Sequence, residues 1–144
     1  MTNNDKIVQF LSNIDAGRDS YRQGVELVNA GEFEAGIAAF QEALQVSPNF
    51  PQAYAWLGYA YLEQALQTEA DLDMQLAGQA LYAAEQALQF DICPQNACAL
   101  AHYVLAVVHL KVYGDRDYAL KKYELIRQLN QKFANMLKNR LDQP

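Results

Sequence analysis

The chain has 144 residues, 51% of them apolar and only 19% charged, a balance that a single folded domain has and a disordered chain does not. Its net charge of −6, with a sequence pI near 4.8, argues against nucleic acid as a partner: the one basic cluster, Lys111 to Lys122 with Arg127 and Lys132, is diluted by Asp115, Asp117 and Glu124. Ala, Leu, Gln and Glu dominate, prolines number four, and no alternating β-branched run is long enough for a strand, so the composition is that of an all-α protein.

Residues Met1 to Lys6 lack the charged and apolar regions of a secretory signal, which makes the cytoplasm the expected compartment. Ile7, Phe10, Leu11 and Ile14 follow at helical spacing and predict an amphipathic helix within residues 1–16. Gly24 and Gly58 lie 34 residues apart, each among apolar residues at helical spacing, so that a second helix can approach closely at both points. After Gly24 come Ala30-Gly31-Glu32-Phe33, then Gly36, Phe40, Ala43-Leu44 and Pro48. Gly31 suits a tight turn between antiparallel helices, and Pro48 ends the second of them. The run from Tyr54 to Tyr61 begins a second unit, with Leu57-Gly58 in the frame of the first.

In order and spacing these motifs resemble the tetratricopeptide repeat (TPR), a helix-turn-helix unit with a 34-residue period. The resemblance implies a right-handed α-α superhelix of about three helix pairs forming a single domain over 1–144. Its parts are an N-terminal helix (1–16), repeat 1 (17–50), repeat 2 (51–96), repeat 3 (97–130) and a capping helix with tail (131–144). Ala80, Ala84, Ala87 and Leu88 carry the second helix of repeat 2, but Ala87 lies 44 residues after Ala43, so about ten residues are inserted near 66–75. This acidic insertion is expected to lengthen both helices and form a protruding hairpin tip.

The third unit carries Tyr103, Ala106, Leu110, Gly114, Ala119, Tyr123 and Ile126 in the expected order. Its register is open by one residue: Gly114 as the turn glycine aligns Tyr103 and Leu110, whereas Leu105-Ala106 as the Leu-small pair places His109 where an aromatic residue is usual. The stretch Ala97 to Tyr113 is the most apolar in the chain, but His102, His109 and Lys111 interrupt it short of the about 18 to 20 residues of a membrane span, so no membrane insertion is expected. Phe133, Met136, Leu137, Arg140 and Leu141 form the apolar stripe of the cap.

Catalytic and metal chemistry find little support. Cys93 and Cys98, the only cysteines, are expected as free thiols. Cys98, His102 and His109 share one helix, yet the first and last are about 16 Å apart at 1.5 Å per residue, too far to converge on one ion. Glu69, Asp71 and Asp73 lack the order of a calcium loop, and no phosphate cradle, nucleophile elbow or zinc-protease motif occurs. The expectation is a protein with no enzymatic activity, catalytic residue, metal or cofactor.

What the resemblance does imply is a groove lined by the first helices of successive repeats. Carried over, it takes Arg18, Tyr21, Arg22, Val25 and Asn29 from repeat 1, and Gln52, Ala55, Trp56, Tyr59 and Glu63 from repeat 2. Repeat 3 supplies Val104, Leu105, Val108 and Lys111, or Tyr103 and Val107 if the register shifts by one. Such a lining, aromatic at its centre and charged at its edges, fits a segment of another protein. The implied function is an adaptor, assembly factor or chaperone-like scaffold; the alternative is a self-associating subunit whose groove holds its own N-terminal helix or another copy.

Overall fold

A computed structural model describes residues 2–67 and 72–143. Among these the chain forms seven α-helices and no strand: α1 (Asn3–Asn29), α2 (Phe33–Val46), α3 (Pro51–Ala65), α4 (Met74–Leu88), α5 (Gln95–Val108), α6 (Arg116–Leu129) and α7 (Gln131–Leu141). No helix among the described residues is long and apolar enough to cross a membrane.

Local chemistry sets most of these boundaries. Thr2 and Asp5 form a reciprocal capping box at the start of α1, and Asp73, Asp115 and Asn130 accept backbone N–H groups at the starts of α4, α6 and α7. Pro51 opens α3, where its missing N–H costs nothing. Gly31, at φ 83°, closes α1 in a Schellman turn: Glu32 N–H donates to Leu27 O (2.8 Å) and Gly31 N–H to Val28 O (3.0 Å). Gly114, at φ 63°, makes a wider turn after α5 and a π-helical stretch, His109–Tyr113: its N–H donates to Leu110 O (3.1 Å) and Asp115 N–H to His109 O (3.3 Å).

The helices pack as successive antiparallel pairs, α1 with α2, α3 with α4 and α5 with α6, each against the next, and α7 closes on α5 and α6. Close crossings hold the pairs. A Cβ on Gly24 would come within 2.7 Å of the Phe40 ring, and one on Gly58 within 3.1 Å of Ala80 O. The core follows this line, from Val28, Phe40 and Ala43 through the alanine-rich α3–α4 contact to Leu100, Ile126 and Leu137.

Three expectations differ from this arrangement. No break separates residues 3–16 from the first repeat helix, because Gly17 is buried against Ser47 as a packing residue of α1 and does not form a turn. The insertion does not lengthen its helices: α3 and α4 have 15 residues each, against 14 in α2, and the extra chain lies in the connection after Ala65. Of its acidic residues, Asp73 caps α4, while Glu69 and Asp71 lie outside the described residues. Cys93 and Cys98 are not two free thiols but are joined in a disulfide, with Cα atoms 5.8 Å apart.

Within the core, His102 is half-buried and its Nδ1 lies 3.1 Å from Lys122 Nζ. Burial first, and the Lys122 charge second, push its pKa down to about 4.

Two predictions follow from the packing. Gly24→Ala crowds the Phe40 ring, a cost of about 1–3 kcal/mol for overpacking that exceeds the about 1 kcal/mol gained in helix propensity. Gly78→Ala has nothing within 4 Å of its new Cβ and keeps the propensity gain. Thermal melting should therefore show a lowered Tm for the first and a raised Tm for the second, by about 2–4 °C per kcal/mol. The second prediction concerns pH. The folded state keeps His102 neutral down to about 4, whereas an unfolded histidine takes its proton near 6.5, so stability should fall as pH drops from 6.5 towards 5. Allowing for solvent screening of the partly exposed ring, the loss is on the order of 1 kcal/mol, and His102→Gln should flatten this part of the urea-unfolding profile.

Candidate functional site

The first helices of the pairs, α1, α3 and α5, lie in a row continued by α7. Along that row an aromatic series runs from one end of the molecule to the other. Tyr21 stands 5.9 Å from Phe40 and 5.0 Å from Phe50, Phe40 is 6.4 Å from Trp56, and Trp56 meets Tyr59 edge-on at 5.8 Å. Tyr59 continues to Tyr103 at 6.2 Å, and Tyr103 to Phe133 at 6.5 Å. All are within the range of favourable aromatic pairs.

At the α7 end the series meets a polar cluster. Arg140 Nε donates to Tyr103 Oη (2.8 Å), and its Nη2 lies 3.5 Å from Glu63 Oε1. Burial raises the pKa of Glu63, opposed by the Arg140 charge. Tyr59 is pushed up to about 12 by burial, then by Glu63 and Tyr103, while Arg140 pulls the other way. Burial raises Tyr103 and Tyr21 as well. These tyrosines are therefore neutral hydrogen-bonding groups at physiological pH, and Glu63 and Arg140 are already engaged with each other.

The opposite half of the row is open. A recess of about 480 Å³ lies between α1, α3 and the starts of α5 and α7, with Tyr21 and Trp56 on one side and Phe133 on the other. Its polar groups are Gln52, Asn96, Asn130 and Lys132. Asn130 Nδ2 donates to Asn96 Oδ1 (2.9 Å), and Gln95 Nε2 donates to Leu129 O (2.7 Å), which ties the α5 side of the recess to the α6–α7 corner. A second recess, about 450 Å³, follows α1 towards its N-terminus past Arg18, Ile14 and Phe10 against Val46, Pro48 and Phe50. Gln52 borders both.

The sequence-derived lining divides accordingly. Tyr21, Gln52 and Trp56 line the α3-side recess, and Arg18 the second. Val25 packs half-buried against the core, Arg22 and Asn29 are exposed on α1 away from either recess, and Lys111 is exposed on the π-helical stretch. Tyr59 and Glu63 are half-buried beside Arg140. Repeat 3 requires a correction: Tyr103, Val104, Val107 and Val108 are 1, 0, 0 and 3% exposed and line no open surface. Ten of the 14 residues of α5 are buried, since α3, α4, α6 and α7 all pack on it.

Sequence reasoning missed Asn96, Asn130, Lys132 and Phe133, which the α6–α7 corner brings to the recess, and also Arg140. Arg140 did leave a signal: an arginine within the apolar stripe of α7 needs a buried partner. The metal candidates do not converge. Cys98 is joined to Cys93, His102 faces Lys122, and His109 stacks on Tyr118 at 3.9 Å. No group of three His, Cys, Asp or Glu among the described residues is placed to hold a metal ion.

Residues 20–64, from within α1 through α2 to nearly the end of α3, match the family model of the TPR repeat. No curated protein matches the chain. Repeats of this kind generally mediate contacts between proteins. The match falls on the helix pair whose crossing depends on Gly24 and Gly36 and whose turn is made by Gly31, so residues 20–64 of this chain carry a tetratricopeptide repeat, and further helix pairs continue beyond it.

Proposed function

We propose that the protein is a non-enzymatic scaffold, an adaptor or chaperone-like assembly factor of the cytoplasm, that holds an apolar or aromatic segment of another protein in the recess between α1, α3 and α7. The pairs α3–α4 and α5–α6 serve as its second and third repeats. The observation that carries the reading is the pairing of half-buried Tyr21 and Trp56 with a rim of amides and Lys132 in one recess. Such a site gives a partner a ring to pack on and donors to fix its backbone, the division of labour found at protein interfaces. The net charge of −6 favours a protein over nucleic acid as the occupant.

A second reading, self-association, has its own observation. Ile7, Val8, Phe10 and Leu11 are 57, 66, 64 and 53% exposed on the part of α1 that runs past α2. An apolar cluster of this kind on a monomer marks an interaction surface. The segment continues α1, so it leaves the recess at Trp56 unfilled, and another copy becomes the candidate to cover it.

Trp56 is the only tryptophan, so its emission reports directly on the recess. Peptides selected from a random displayed library should carry an aromatic or aliphatic anchor and shift that emission on binding. Asn96→Arg, placed at the exposed rim, should weaken them tenfold or more with unchanged helicity, a loss of about 1.4 kcal/mol. Equal binding to the variant would move the site elsewhere. For the second reading, sedimentation over a hundredfold concentration range should show a mass that rises in the wild type and stays monomeric in Phe10→Asp/Leu11→Asp. A wild type that stays monomeric throughout removes it.

A further inference from the structure

The start of α5 carries a pair of sulfurs that the scaffold reading does not use, Cys93 just ahead of the helix and packed partly against the core, and Cys98 inside it. Cys93 immediately precedes Pro94, the residue that caps α5, and Cys98 stands in the first turn of that helix, its N–H donating to Pro94 O (2.9 Å). The two sulfurs are joined across Cα atoms 5.8 Å apart, within the about 4.4–6.8 Å that a disulfide spans without backbone movement.

Two features separate this pair from a buried structural bridge. Both cysteines are only partly buried, at a corner flanked by exposed Asp91 and Ile92, so a small thiol can reach them. The pair closes a ring over a sequence separation of only 5, which constrains little of the unfolded chain and so adds little to stability. The Cys98 sulfur also lies beside the backbone of the corner, 3.3 Å from Cys93 O. Pro94, at φ −56°, holds the corner in place whichever state the sulfurs are in.

We propose that Cys93 and Cys98 form a reversible dithiol–disulfide exchange site whose substrate is a low-molecular-weight disulfide of the glutathione class. In the oxidising direction the Cys98 thiolate attacks one sulfur of the small disulfide, giving a mixed disulfide on Cys98 and releasing one small thiolate. The Cys93 thiolate then attacks the Cys98 sulfur, closing the ring and releasing the second. Two electrons pass from the protein sulfurs to the small disulfide, and the two thiol protons end on the two small thiols. Reduction runs the same steps backwards. Because Pro94, Asn96 and Ala97 line the recess beside Trp56, closing the ring fixes the backbone that forms one of its walls.

The test uses the full chain, equilibrated in buffers of graded reduced-to-oxidised glutathione ratio, quenched with an alkylating agent and weighed intact. The expected result is one transition, independent of protein concentration, between a form that takes two alkyl groups and a form that takes none. In Cys93→Ser, with folding checked by circular dichroism, Cys98 should stop at the mixed disulfide with glutathione. Two alkyl groups at every ratio would overturn the proposal. So would a bridge that no ratio opens in the folded protein, or covalent dimers in place of the internal ring. The wild-type titration decides this even if the variant does not fold, and none of its outcomes depends on what the recess binds.

Discussion

Helices can nest into an array only where something lets their backbones come together, and in this chain small residues at the crossings do that work. Gly24 meets the Phe40 ring, Gly36 meets Val28, and Gly58 meets the backbone of Ala80 and Ala84, each with less room than a methyl group needs. The α3–α4 contact extends the principle with Ala53, Ala60, Ala77, Ala80, Ala83 and Ala87, all buried. An alanine buries little area, so this interface gains chiefly from the dense contact that close backbones allow. The aromatic series depends on it as well. Tyr59 on α3 reaches Tyr103 on α5 at 6.2 Å, and Phe40 on α2 reaches Trp56 on α3 at 6.4 Å, because the helices are packed tightly enough to hold the row together.

The end of the array shows what the same geometry costs. A last repeat exposes an apolar face, and α7 covers it with Ala134, Leu137 and Leu141 while Phe133 stacks towards Tyr103. Arg116 Nη1 donates to Leu141 O (2.6 Å), satisfying a carbonyl at the far end of the cap. In covering α5 the cap closes the α5 part of the row to solvent. Arg140 comes with it, and its charge is tolerated because Tyr103 and Glu63 receive it. The surface left for a partner is thus set as much by the cap as by the repeats.

Much of this was legible in the residues. The 34-residue spacing of Gly24 and Gly58, the turn glycines Gly31 and Gly114, and the stop at Pro48 specify helices and turns through local backbone rules, which need no tertiary information. Tyr21, Gln52 and Trp56 each stand on a first helix and line the α3-side recess, although the 34-residue frame pairs them with Ala55, Arg18 and Arg22, which do not. The burial of Val104, Val107 and Val108 was not legible, because it depends on where α7 docks, which no local pattern encodes. The one-residue ambiguity in repeat 3 has a physical origin: the π-helical stretch His109–Tyr113 accommodates one extra residue, so the helix follows one frame before it and the other after it. Asp115 N–H accordingly reaches back to His109 O, one residue further than Glu32 N–H reaches to Leu27 O in the first turn. The continuity of α1 was hidden for the opposite reason: Asp15 to Ser20 is polar, but it contains no proline, and its one glycine packs against Ser47 without breaking the helix.

The two ends of the molecule therefore treat their apolar surface differently. At the C-terminal end α7 covers it from within the chain, whereas at the N-terminal end α1 carries Ile7, Val8, Phe10 and Leu11 beyond the reach of α2 with no helix over them. Burying apolar area is favourable wherever a second surface can be brought to it, so this arm is open to association. The recess along the arm and the recess at Trp56 share Gln52. A segment that covered the arm would come to the edge of the recess at Trp56, and one long enough to fill both would run from Phe10 on α1 to Trp56 on α3. If both proposed readings hold, self-association and capture of a partner would meet at Gln52, and their balance would follow from the affinity and concentration of each.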